Sequence, residues 1–304
     1  MIIMSANKQL SLILVPFGLG AGRPGAEEGP ESMIQADLIR QIRKTDYELA
    51  GESRVKCPPP SAARSSDGPA KHMPEVIEMS RQVAKQVSQA VLSRTMPLVL
   101  GGDHSVTIGV LAGLTTQFAN LGVIYFDAHA GLNTELTSPT GHYNEMSLAA
   151  ALGKTCLKLS DVAHNGTPIK KNNVVIIGVR DVEPAEKELI RSEGITCFTM
   201  HDIDRLGIQK VIEKAMQIAG NGTDGIHVSF DADCLDPLEA PGVGMPVAGG
   251  LTYREAHFAC ELLAESGRIT SIDVVEVNSL QDASRRTARL AVGLIASLLG
   301  KRIL

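Results

Sequence analysis

The chain has 304 residues, 44% of them hydrophobic and 21% charged, with a formal net charge of −5. That length supports a large α/β core, and the acidic balance argues against a surface for phosphate backbones or anionic lipid. With no Trp and 3% aromatic residues there is little to build a base-stacking platform, and no apolar run reaches membrane-spanning length.

Met1–Leu14 lacks a basic segment and a small-residue cleavage site, so no signal peptide is expected. Five cysteines, an odd number with no Cys-x-x-Cys pair, predict reduced thiols in a cytoplasmic protein. Cys234 reads as a small space-filling residue. Leu12–Val15 is a first strand, followed by a Gly/Pro-rich loop at Gly18–Pro30. Glu31–Arg43 reads as a helix with Met33, Ile34, Leu38 and Ile42 on one face. Cys57–Lys71 is a Pro/Ser-rich loop and the stretch expected to be most mobile. Pro74–Arg94 is a long amphipathic helix, and from Pro97 onward strands and helices alternate.

Ser105 is placed to cap a helix running to about Phe118. Val174–Ile177 is a strand, and Pro184 suits the first turn of the next helix. Asp202–Ala219 reads as a helix, Gly225–Phe230 as a strand and Tyr253–Glu265 as a helix. Ile269–Val277 is a strand and Asp282–Leu299 a closing helix. The alternation predicts one α/β domain spanning 1–304, three layers α/β/α, with a mostly parallel sheet covered on both faces.

Three of the apolar strands end in ligand-type residues. Val123–Phe126 runs into Asp127 and His129, Pro97–Leu100 into G-G-D-H-S with His104, and Gly225–Phe230 into Asp231 and Asp233. Residues two apart on an extended chain point to the same side, and the carboxyl ends of parallel strands are where open α/β sheets bind ligands. Carboxylate and imidazole together suit Mn²⁺, with Fe, Zn and Ni also compatible. Two such ions roughly 3.5–4 Å apart can share bridging carboxylates and lower the pKa of a bridging water. G-G-D-H-S does not fit the phosphate-binding loop pattern. A Ser–His–Asp reading of Ser105 and His104 is disfavoured without a G-x-S-x-G elbow.

The ordered set G-G-D-H-S, D-A-H-x-x-x-N, S-F-D-A-D-C-L-D-P, G-G-L-T-Y-R-E and D-V-V-E-V-N resembles the ureohydrolase family, and within it the arginases. The E-E-G-P at Glu27–Pro30 and G-V-R-D-V-E-P at Gly178–Pro184 are similar too, so the resemblance runs from Val15 to about Leu299. It implies two Mn²⁺ ions, hydrolysis of a guanidino group to urea and an amine, and assembly as homo-trimers or homo-hexamers. Residue by residue, it implies that His104, Asp127 and Asp231 hold the more exposed metal, and Asp127, His129, Asp231 and Asp233 the second. Glu276 corresponds to the carboxylate that receives the guanidinium. Asn133 and Thr140, with Ser138 near, correspond to positions that hold an amino acid's α-carboxylate, and Asp181 and Glu183 to those that meet its α-amino group.

Three departures cluster at the reactive end. Gly131 stands where the family has an Asp ligand of the more exposed metal, Asn144 where it has a proton-transferring His, and Met245 where arginases have a Thr. His142, two positions before Asn144, is a candidate substitute. Two divalent ions bring four positive charges and Asp127, Asp231 and Asp233 only three negative ones. One firmly held metal is therefore expected, with the His104 site weak or empty. The functional expectation is an arginase-like amidinohydrolase acting on an arginine-like amino acid. The alternatives are an inactive homologue that binds an amino acid or serves as a regulatory subunit, and a one-metal hydrolase of another C–N bond. No nucleic-acid or membrane partner is expected under any of them.

Overall fold

The structure, a computed structural model, describes residues 8–60 and 68–302. Eight parallel strands form one sheet: β1 (Lys8–Val15), β2 (Tyr47–Arg54), β3 (Met96–Gly101), β4 (Leu121–Phe126), β5 (Val174–Val179), β6 (Thr196–Thr199), β7 (Gly225–Asp231) and β8 (Ile269–Val275). Their spatial order is β2-β1-β3-β8-β7-β4-β5-β6. Central strands are apolar on both faces because helices cover both. In β4, Ile124 and Phe126 enter one core while Val123 and Tyr125 enter the other. β3 divides likewise, with Leu98 and Leu100 on one side and Val99 on the other. The three-layer α/β/α architecture expected from the alternation is what the chain forms.

Several local expectations are corrected. The helix expected over Glu31–Arg43 is two short helices, Gly29–Gln35 and Leu38–Ile42, interrupted at Asp37, whose φ is 71°. Likewise Asp202–Ala219 is Met200–Leu206 and Ile208–Ala219, broken at Gly207 with φ 78°, a conformation that glycine adopts without steric cost. β2 and β6 were not anticipated. β2 is an exposed edge strand with almost no buried side chain, so it carries no apolar signal.

Ser105 does not cap the helix Val106–Thr115: its backbone is already helical and its buried Oγ has no hydrogen-bond partner among the described residues. Asp282, expected inside the last helix, precedes it and accepts the N–H groups of Arg286 (2.8 Å) and Ala288 (3.0 Å), so the helix begins at Arg286. Residues 61–67 of the loop expected to be most mobile lie outside the described residues. All five cysteines are free, and Cys234 is buried. Among the described residues no helix is long and apolar enough to cross a membrane.

Candidate active site

The carboxyl ends of β3, β8, β7 and β4, four neighbours in the sheet, deliver the site. β3 passes through Gly102 and Asp103 to His104, β4 gives Asp127 and then His129, β7 ends at Asp231 with Asp233 beyond, and β8 leads to Glu276. The side chains fall into two trios, His104/Asp127/Asp231 and Asp127/His129/Asp233. In each, one donor atom per residue lies within 4.8 Å of the others. His104 Nδ1 is 2.9 Å from Asp231 Oδ2 and 3.2 Å from Asp127 Oδ2. His129 Nδ1 is 3.0 Å from Asp233 Oδ2 and 3.3 Å from Asp127 Oδ1.

The cluster crowds buried carboxylates against two imidazoles. Burial, then the charges of Asp233 and Asp127, push Asp231 well above the usual carboxylate range. Burial and Asp127 also raise Asp233. Burial would raise Asp127 too, but hydrogen bonds to His104 and His129 hold it low. Burial alone would lower His104; its bonds to Asp127 and Asp231 outweigh that and hold it well above its ordinary value. Three buried carboxylates and two imidazoles on one spot make a hard oxygen/nitrogen donor set that fits a divalent metal.

A buried polar network orients His104. Ser229 Oγ has one proton and donates it to Asp273 Oδ1 at 2.7 Å, so it accepts from His104 Nε2 at 3.0 Å. Nδ1 is thereby turned towards the carboxylates, the usual way an outer partner fixes an imidazole ligand. Asp273 also accepts from Thr107 Oγ1 (2.9 Å) and from His227 Nε2 (3.1 Å). Truncating Asp273 to Ala would strand three buried donors. We expect a loss of about 3–5 kcal/mol in denaturant unfolding, together with weaker metal retention; an unchanged unfolding midpoint would show the network to be dispensable. Sequence reading gave no role to Ser229, Thr107 or Asp273, although fully buried polar residues cluster in β7 and β8, with His227, Ser229, Ser271 and Asp273.

Gly131 and Tyr125 form a complementary pair. Gly131 has φ 62°, and a Cβ built there would lie 2.7 Å from Tyr125 Oη and 3.3 Å from Ser147 Oγ. The Tyr125 hydroxyl is 2.7 Å from Ser147 Oγ and 3.2 Å from His104 Nδ1, and its ring stacks on the His104 imidazole at 4.5 Å. The phenol therefore fills space that a side chain at 131 would need.

The trios open into a cavity of about 420 Å³ lined also by Glu276, Asn133, Thr140, Asn144, Glu145, Asp181, Glu183, Glu186 and Met245. Glu276 is buried, and its Oε1 accepts the His104 N–H at 2.9 Å. Burial, with Asp103 alongside, pushes its carboxyl up to about 8. Asn144 lines the cavity and its buried Oδ1 has no partner among the described residues. His142 is absent from the lining among the described residues; it lies against Gly22, and its N–H donates to Thr140 Oγ1 at 3.2 Å.

The rim residues are arranged differently from an open carboxylate receptor. Ser138 Oγ and Thr140 Oγ1 each donate to Glu145, to Oε2 and Oε1, both at 2.7 Å. Asn133 Oδ1 accepts from Thr137 Oγ1 at 3.0 Å. Burial, then the charge of Glu145, raises the Glu183 carboxyl against a hydrogen bond from Asn133. Glu145, to which the sequence reading gave no role, directly follows Asn144.

The family model described as "Arginase family" matches residues 8–300. The arginase of Bacillus caldovelox is 43% identical over 98% of this chain and all of its own length, and that of Bacillus subtilis 42% identical over the same shares. The crystal structure of arginase from Bacillus cereus superposes with a TM-score of 0.91 at 43% identity, covering 98% of this chain and all of the other. A match that takes in every strand and every residue of both trios leaves one assignment: the chain belongs to the arginase family.

Proposed function

We propose that the protein is a metal-dependent amidinohydrolase that cleaves the guanidino group of a small substrate of arginine's length to urea and an amine. The observation that carries this reading is the convergence of two carboxylate–imidazole trios with Glu276 on one cavity. Asp127, His129 and Asp233, with Asp231 adjoining, would hold one Mn²⁺; His104, Asp127 and Asp231 would hold a second. A divalent cation there offsets the crowded carboxylates and lowers the pKa of water that it binds. Glu276, buried and raised, gains from the arrival of a cationic guanidinium, which compensates its charge and fixes the scissile carbon beside the trios.

Asn144 does not exchange protons near neutral pH, so no general acid–base contribution comes from that position; such groups typically supply about 10²–10⁴-fold. The His104 trio has three protein donors and, at Gly131, no fourth carboxylate. We therefore propose that it holds its ion more weakly than the His129 trio. After Mn²⁺ loading and desalting, elemental mass spectrometry is expected to find about one ion per chain, and urea release from guanidino compounds is expected to depend on it. Two retained ions would refute the weak-site reading. Metal-loaded protein that releases urea from no guanidino compound would refute the reaction itself. Assembly as homo-trimers or homo-hexamers is part of the proposal and is checked by light scattering.

A further inference from the structure

We infer that Glu145 is a built-in occupant of the carboxylate end of the cavity, and that the protein selects guanidino compounds ending in an ammonium without a carboxylate. The inference rests on the amidinohydrolase reading above and concerns the end of the substrate far from the metals.

Proton supply decides the matter. Ser138 and Thr140 have one hydroxyl proton each, and both protons go to Glu145. The same two oxygens already accept backbone N–H groups, Gly141 to Ser138 Oγ at 2.7 Å and His142 to Thr140 Oγ1 at 3.2 Å. Each hydroxyl can therefore donate to a ligand's carboxylate only by giving up its bond to Glu145. Asn133 accepts from Thr137 Oγ1 through its Oδ1, its backbone N–H donates to the Glu145 carbonyl at 3.1 Å, and its side-chain amide bonds to Glu183. The two hydroxyls are thus spent on Glu145 and the Asn133 amide on Glu183, carboxylates that the chain supplies itself.

Charge points the same way. Glu145, Asp181, Glu183 and Glu186 line this part of the cavity, while Asp127, Asp231, Asp233 and Glu276 line the metal end. Among the described lining residues Arg23 is the one Lys or Arg. A single guanidinium leaves the far end negative, so a ligand carboxylate would meet repulsion from Glu145 with no hydroxyl donor in return, whereas an ammonium finds several acceptors. Rejection by an unmatched like charge is a means of specificity independent of attractive contacts.

The test uses full-length, Mn²⁺-loaded protein with two probes of equal reach, L-arginine and 4-guanidinobutylamine, which differ only in the carboxylate. The native protein should favour the amine by about tenfold or more in kcat/KM, chiefly through KM. Glu145→Ala frees both hydroxyls and should move the ratio towards arginine by about tenfold or more. A native preference for arginine, or a ratio unmoved in E145A, overturns the inference. If neither compound yields urea, the amidinohydrolase reading fails on its own; calorimetric titration with 1,4-diaminobutane and L-ornithine then still decides the role of Glu145. Tighter binding of the diamine, reversed or levelled in E145A, supports it, and tighter binding of ornithine by the native protein overturns it.

Discussion

Replacing Asp127 with Ala is expected to empty both metal positions and to lower urea release by roughly 10³-fold, the several kcal/mol that a metal's Lewis acidity supplies. Asp127 is the one residue common to the two trios. Its Oδ1 accepts the His129 N–H at 2.7 Å and its Oδ2 faces His104 Nδ1 at 3.2 Å. Removal thus takes a donor from each group and frees the loop that aims His129. Manganese content after desalting is the primary readout, with far-ultraviolet circular dichroism to verify the fold. A folded D127A protein that keeps its native complement of manganese would show that the ion sits elsewhere.

The second large effect concerns Gly131. Installing the family's carboxylate alone, Gly131→Asp, is expected to destabilise the protein by about 1–3 kcal/mol through overpacking and not to raise its metal content. The new Cβ would sit 2.7 Å from Tyr125 Oη, and Tyr125 is fully buried with its ring stacked on His104, so it has nowhere to yield. The left-handed backbone at 131 adds a smaller penalty, one that Asp tolerates better than most residues. Deleting the hydroxyl removes the closest obstacle: the ring carbon behind it lies 3.4 Å from the built Cβ and Ser147 Oγ 3.3 Å, so a shift of a few tenths of an ångström suffices. G131D/Y125F should therefore recover stability and retain close to two manganese ions per chain. Should G131D alone take up the second ion at native stability, the pairing of Tyr125 with Gly131 would be incidental.

The sequence made the ligand-type ends of β3, β4 and β7 legible because each is an apolar run cut off by Asp or His, and the order of those endings pointed to the family. What it concealed has physical reasons. β2 is exposed along its length and has no periodic apolar signal, and the breaks at Asp37 and Gly207 are backbone reversals inside stretches whose apolar spacing is continuous. Tyr125 lies inside the apolar run Val123–Phe126, and only the position of its hydroxyl, 3.2 Å from His104 Nδ1 and 2.7 Å from a Cβ built at Gly131, ties it to that glycine. Ser138 and Thr140 carry the expected side chains, but hydrogen-bond direction is a property of the folded loop, and Glu145 reverses what those hydroxyls offer a ligand.

The strand order has a consequence for how the protein comes to life. Asp127 and His129 follow β4, Asp231 and Asp233 follow β7, and these two strands pair directly with each other. His104 follows β3, which touches β7 only through β8, the last strand to be synthesised. A nascent chain that has reached residue 233 already has every residue of the Asp127/His129/Asp233 trio, whereas the His104 trio awaits the insertion of β8 between β7, the strand made just before it, and β3, made much earlier. Such late, sequence-distant closure is slow. An early-captured ion would weld the β4–β7 half into a seed, and the arrival of His104 would mark the moment at which maturation is finished.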